Sequence, residues 1–311
     1  MRRSLAADQH ELIVRIEEPV VGVPSNPSRQ AFARFRRHKP ALVGAVVLIL
    51  IALAVLIGPL LLPYKPNAVD LSVFQKPPSI AHPLGTDSAG RDVLARLLAG
   101  GRISLAIGCL VALIATFLGL LLGAVAGFYR GIADFLTLRL TEIILSFPGL
   151  VAVAGAAALF GPSTKLLIVV LSLFSWPTPC LIVRAMTLSI RNVEYVTAAR
   201  AAGASNARIV LFDVIPAVLS PLTVFATVAV AQAILAEAGL SFLGFGVPPP
   251  DASWGNMLNA AQSIAIISGQ LWLWIPPGLL IATTVLSINL VGDGLRDAID
   301  PRSAEGLAGL R

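Results

Sequence analysis

RNVEYVTAARAAGASNARIVLFDVIPAVLSP, residues Arg191 to Pro221, is a polar, alanine-rich stretch set between long apolar segments. A loop that only joined two apolar helices would need a few residues. This one has room for two short helices of its own. Asn192 can cap a first helix, Glu194 suits its positive N-terminal end, and Arg200 suits its negative C-terminal end. Gly203 is the residue type that stops a helix in a left-handed turn. Ser205 or Asn206 can then cap a second helix running toward Ile215-Pro216.

The flanking segments set the fold class. Of 311 residues, 56% are hydrophobic and only 13% charged, and the mean hydropathy is +0.84. Soluble domains carry about 25% charged residues, so lipid rather than water solvates much of this surface. The expectation is an all-α integral membrane protein with six transmembrane helices, at about 20 residues per crossing. The spans fall near 41–63, 103–128, 143–160, 166–186, 217–238 and 271–291. Arg139 and Glu142 open the third helix one turn apart and can pair. Pro148-Gly149 should bend it, Trp176-Pro177-Thr178-Pro179 interrupts the fourth span, and Pro276-Pro277 lies in the sixth. Between spans one and two, Pro66, Pro77, Pro78 and Pro83 deny a continuous helix. HPLGTDSAGRDVLARLLAGGRIS (82–104) then reads as a turn and a separate interfacial helix. Leu94, Leu97 and Leu98 share one face, and Arg91, Asp92 and Arg96 lie toward another.

Basic residues orient the chain. With the N-terminus inside, 17 of the 23 Lys and Arg fall on the inner side and 6 on the outer, a positive-inside bias that makes both termini and the 191–221 stretch cytoplasmic. Neither a short apolar core nor a small-residue cleavage site follows Met1, so a removable signal peptide is not expected. The basic run from Arg29 to Lys39 reads as a cytoplasmic anchor before span one rather than a nucleic-acid site. The chain thus divides into an N-terminal tail (1–40), a first span with its outward segment (41–101), a main membrane domain (102–296) holding the cytoplasmic loop 187–216, and a C-terminal tail (297–311). Cys109 and Cys180 lie inside apolar segments and read as small core residues, not as a disulfide. His10, His38 and His82 all lie outside those segments.

Ala198, Ala199, Ala201 and Ala202 give the first short helix almost no side-chain bulk, so another protein can approach its backbone closely. Here the chain resembles the membrane subunits of ABC importers, whose cytoplasmic loop carries E-A-A, three residues, Gly, nine residues, then I-x-L-P. Ala198, Ala199, Gly203 and Pro216 match at that spacing, and Ile215 stands for the Leu. Thr197 replaces the Glu and Asp213 the Ile. Two further stretches, residues 82–105 and EAGLSFLGFGVPPPDASWGNML (237–258), are similar to the second permease of the dipeptide/oligopeptide/nickel systems, and LSFPG (145–149) fits the same family. The resemblance runs from about residue 30 to 301.

It implies an ABC importer type-1 transmembrane domain in a bacterial inner membrane, multi-pass, with no catalysis and no cofactor of its own. The implied partners are a sibling permease, two ATPase subunits that bind ATP and Mg, an extracytoplasmic substrate-binding protein and the lipid bilayer. Nucleic acid is not among them. The implied ATPase-coupling residues are Glu194, Tyr195, Thr197, Ala198, Ala199, Arg200, Gly203, Ala204, Ile215 and Pro216. The implied solute is a di- or oligopeptide, with glutathione, nickel or another small solute as the alternative.

The outward stretch has its own reading. Glu237 falls at the outer end of span five, Gly244 allows a tight turn, and Trp254 suits a membrane interface. With Phe242 and Gly255 these residues are expected to shape the outer mouth and face a binding protein; a packed loop without ligand contact is the competing reading. Glu142, Glu237 and Asp293 sit near span ends within reach of water, where pairing or capping suffices to explain them. The middle of the membrane holds no charge, which argues against an ion-coupled secondary transporter. The spans hold no histidine, which argues against a membrane enzyme. The chain has no G-x-x-x-x-G-K-[ST] phosphate loop, so ATP would be hydrolysed by other subunits.

Overall fold

The computed structural model describes residues 27–299, and its regular elements are helices. In chain order they are α1 (Pro27–Arg37), α2 (Lys39–Leu61), α3 (Val93–Tyr129), α4 (Gly131–Leu145), α5 (Gly149–Phe160), α6 (Thr164–Ser175), α7 (Pro177–Ile190), α8 (Glu194–Ala201), α9 (Asn206–Phe242), α10 (Trp254–Asn259), α11 (Ile264–Gly269) and α12 (Leu271–Ile299). Five helical stretches are long and apolar enough to cross a membrane: α2, α3, α6 with α7, α9 and α12. The bent pair α4 and α5 makes a sixth. The tails up to residue 26 and beyond 299, with the expectation that both ends are cytoplasmic, lie outside the described residues.

Three local expectations are corrected. The third span does not merely bend at Pro148: α4 and α5 meet at 75°, a break rather than a kink. Pro148 cannot donate a helical hydrogen bond, and Ser146 at the end of α4 already takes the carbonyls of Glu142 and Ile143. The interfacial helix before span two is instead the first turns of α3. Its polar face is turned inward, with Asp92 and Arg96 buried. Finally, the second helix of the Arg191–Pro221 stretch does not stop before span five. Val210–Val214 forms a π turn that keeps the hydrogen-bonding going, so Asn206 to Phe242 is one helix.

An extended close-packed seam joins α3 to α7. Gly119, Gly123 and Gly127 recur every four residues along α3, so they form one bare stripe on the face toward α7. A methyl at Gly123 would lie 2.5 Å from the Cys180 carbonyl oxygen and 2.9 Å from Val183 Cβ. One at Gly127 would lie 2.7 Å from the Arg184 carbonyl oxygen. Without a hydrophobic force between helices in lipid, such close backbone approach is what holds them. A Gly123→Leu chain is therefore expected to lose at least about 1–3 kcal/mol from overpacking, read as a lower melting temperature in detergent. Gly155→Leu on α5 is the control, because nothing lies within 4 Å of an added Cβ there. Both cysteines are free. Cys180 is buried in the seam, but Cys109 is exposed on α3, so it is not the core residue expected.

Candidate functional site

The hairpin that opened the sequence reading sits where α3 and α7 end and α9 begins. Two apolar side chains fix it there: Val196 of α8 and Ile209 of α9 are both fully buried among Phe128, Val183, Val210 and Val214. Arg200 lies over the Phe128 ring at 5.6 Å. Nearby, the Arg184 guanidinium pairs with the Asp134 carboxylate through Nε and Nη2, tying α7 to the start of α4. The rest of α8 is presented outward, and Glu194, Tyr195, Thr197, Ala198 and Arg200 are exposed. Ala199, Ala204 and Ile215 are half-buried, and Pro216 is exposed.

The helix start differs from expectation in one detail. Val193 is the N-cap residue, with no side-chain cap bond, and Asn192 lies one position too early. The stop is as read: Gly203 has φ +88, its amide donates to the Arg200 carbonyl at 3.0 Å, and the Ala204 amide donates to Ala199 at 3.0 Å. Ser205 caps the next helix through the Arg208 amide.

The two departures from the wider loop pattern now have distinct places. The Thr197 hydroxyl donates back to the Glu194 carbonyl at 2.8 Å, so it is satisfied within its own turn. Asp213 instead lines an open groove of about 790 Å³ with Ala199, Gly203, Ala204, Arg208 and Phe212. Phe212 is 72% exposed. Sequence reasoning missed Arg208 and Phe212 as surface features, although Arg208 and Asp213 bracket the apolar run 209–212 and could have marked them.

At the opposite end, the expected outer mouth is largely a packed core. Glu237 and Trp254 are both 0% exposed and Gly255 is buried, which corrects the expectation that water reaches Glu237 and that Trp254 faces an interface. Ser104 donates to Glu237 Oε2 at 2.9 Å and Ser241 donates to Oε1 at 2.7 Å. The backbone amide of Trp254 donates to Ser104 Oγ at 3.1 Å, that of Val247 donates to Ser241 Oγ at 3.1 Å, and the Trp254 indole donates to the Leu97 carbonyl at 3.0 Å. Glu237 thus joins α3, α9 and α10. A methyl on Gly255 would meet Ala238 Cα at 2.7 Å, so α10 packs directly on α9. Phe242 and Gly244 are exposed, and only these two of the five proposed outer residues offer a surface.

The outward segment is fastened the same way. Asp92 caps α3 through the Ala95 amide at 2.7 Å and meets His82 Nδ1 at 2.9 Å. Arg96 reaches Asn67 Oδ1 at 3.1 Å and Asp87 Oδ2 at 3.6 Å. These contacts turn the polar face of the expected interfacial helix inward. On the exposed rim, the Ser72 hydroxyl and amide hold the Asp70 carboxyl below its usual value. The other two carboxylates read near span ends are placed as expected: Glu142 pairs with Arg139 at 2.6 Å, and Asp293 is exposed.

A family model described as the binding-protein-dependent transport system inner membrane component matches residues 119–305, and one for the N-terminal TM domain of oligopeptide transport permease C matches residues 26–78. A Brucella suis biovar 1 protein that carries the name of a peptide permease is 42% identical over 279 residues, covering 90% of this chain and 92% of the relative. A Brucella abortus biovar 1 protein named for a peptide transport system permease is 40% identical over 269 residues, covering 86% and 90%. The glutathione transport system permease protein of Pectobacterium atrosepticum is 38% identical over 278 residues, covering 89% and 91%.

Proposed function

The chain belongs to the family of binding-protein-dependent transport system inner membrane components, the permeases of ABC importers, and from that membership we propose that it forms, with a sibling permease, the membrane path of a short-peptide importer. It is a multi-pass membrane protein of the peptide-permease branch. In our reading it catalyses no reaction and binds no cofactor, two ATPase subunits bind ATP and Mg, and an extracytoplasmic binding protein delivers the solute in a bacterial inner membrane.

One observation carries the reading: a small-residue helix, stopped at Gly203, stands exposed at the end of the bundle and is anchored from below by Val196 and Ile209. A partner can press on its bare outer face while the buried anchors pass the displacement to α3, α7 and α9. When ATP closes the ATPase dimer, the hairpin moves as a unit. The broken span α4–α5 and the proline-interrupted pair α6–α7 then supply places where the bundle can alternate between outward and inward openings. The positive-inside charge pattern supports an inner position for the hairpin, the side on which ATPase subunits would dock.

A second solute class has specific support, since one relative carries a glutathione permease's name. The test is reconstitution. Tagged chain is expected to co-purify with a second permease and ATPase subunits, and ATP hydrolysis is expected to rise when a peptide-loaded binding protein is added. Stimulation by a glutathione-loaded or nickel-loaded binding protein alone would replace the peptide assignment. Solute uptake by the isolated chain under an ion gradient, with no ATPase present, would overturn the importer reading.

A further inference from the structure

At the level of mid-span in α3, α6–α7 and α9 there is a cavity of about 310 Å³, within the range of about 300–1,000 Å³ common to small-molecule sites. Its walls hold four uncharged polar residues, Thr116, Ser175, Thr178 and Gln232, with Phe174 and Phe225 between them. None of its sixteen lining residues is Asp, Glu, Lys, Arg or His.

Three independent features show that this cavity is not meant for lipid. Gln232 is exposed in the apolar span α9, and among the described residues no hydrogen bond satisfies its amide. Hydrocarbon offers an amide nothing, so such a side chain faces water, a solute or protein. The Thr116 hydroxyl oxygen is buried and unpartnered. Thr223, Thr227 and Thr283 return their hydroxyls to carbonyls three or four residues back, whereas Thr187 and Thr284 leave theirs buried and free away from this cavity; the Thr116 hydroxyl is the buried free one on the cavity wall. Finally, Gly149 and Leu150, the first residues after the 75° break, line the same cavity. Non-helical backbone at membrane depth is tolerated where it lines an aqueous cavity or is covered by protein.

The inner limit is equally definite. A more open groove of about 680 Å³ follows the inner half of α9, past Pro221 and Val224 toward Arg296. Phe225 lines both spaces.

We propose that the mid-span cavity is a solute-binding station for amide-bearing solutes, with Gln232, Thr116 and Thr178 as its hydrogen-bonding groups and Phe225 as the residue that separates it from the inner groove. The proposal rests on the importer reading. An unpaired fixed charge would trap or repel one end of a zwitterionic peptide, whereas neutral amide and hydroxyl groups bind any peptide bond alike and release it readily. A metal cation would need carboxylate, imidazole or thiolate ligands, and the lining has none.

The complete complex in liposomes, with Cys109→Ser as background, tests this. Gln232→Cys is expected to react with a small, charged, impermeant methanethiosulfonate about tenfold faster than Leu50→Cys on the exposed apolar face of the span α2. Trialanine or glutathione delivered by the binding protein is expected to slow that reaction. Gln232→Leu should lower trialanine moved per ATP about fivefold, with Gln232→Asn recovering most of it. Phe225→Ala should let trialanine leak without ATP. Labelling no faster than at Leu50, or a cross-link from position 232 to the sibling permease in place of labelling, would overturn the station and mark a subunit interface. Uptake indifferent to both Gln232 variants would also overturn it. The unmodified complex separates the two readings. If its ATPase responds to binding protein while Gln232→Cys stays unreactive, only the station falls. If its ATPase responds to no binding protein, the importer reading falls and takes the station with it.

Discussion

A complex carrying Gly203→Val is expected to hydrolyse ATP without moving solute. Gly203 has φ +88, where a β-branched residue costs about 1–3 kcal/mol of backbone strain. Nothing lies within 4 Å of an added Cβ, so no steric clash contributes and the whole penalty is conformational. The strain is released most cheaply by opening the turn between α8 and α9, since the bundle beneath is held by other contacts. A penalty of about 2–3 kcal/mol depopulates the closed turn by roughly 30–150-fold. A partner that needs the hairpin in one shape then meets it only rarely. Uptake per ATP is expected to fall by about tenfold or more, while the melting temperature of the membrane bundle changes little. Gly203→Asn is the matched variant: asparagine tolerates this region, and coupling should be largely kept. Wild-type uptake and stimulation in the valine variant would sink the assignment of this loop.

That turn was legible because it is a property of one residue type in one local conformation. The same holds for the Ser205 cap, the Arg139–Glu142 pair and the six apolar spans, each decided within a few residues of sequence. The errors lie where the answer depends on residues far away. Arg91, Asp92 and Arg96 look like the polar face of an interfacial helix, and only the return of residues 64–90 over them turns that face inward. Glu237 looks like a span-end carboxylate until Ser104, 133 positions earlier, and the loop after α9 close over it. The Gly119–Gly123–Gly127 stripe was readable as a packing seam from its four-residue period, but nothing local names α7 as its partner. Gln232 is the converse: its place in an apolar span was visible in the sequence, and its meaning appeared only beside the break at Pro148 and the free Thr116 hydroxyl.

Glu237→Ala should loosen the outer end of the molecule more than any other single truncation there. The carboxylate is 0% exposed and accepts from two serines, each of which accepts in turn from a backbone amide beyond α9. Removing it strands both hydroxyls and leaves a void among close-packed helices. Each unsatisfied buried group costs about 1–3 kcal/mol, and with the cavity the total is expected near 3–5 kcal/mol. Glu237→Gln keeps the volume and one acceptor, and either serine can rotate to accept from the new amide, so its cost should be about 1 kcal/mol. Hydrogen exchange separates a local from a global effect. In the alanine variant the amides of Val247 and Trp254, which end the two chains of hydrogen bonds, are expected to exchange much faster, while those of α7 hold. If Trp254 stays as protected in Glu237→Ala as in the parent, the carboxylate is not what ties α10 to α3 and α9, and the indole bond to Leu97 with the Gly255–Ala238 contact must hold it alone. If the knot does hold it, the outer end moves as one body with α9, and displacement delivered at the hairpin reaches residues 253–257 through a single uninterrupted helix.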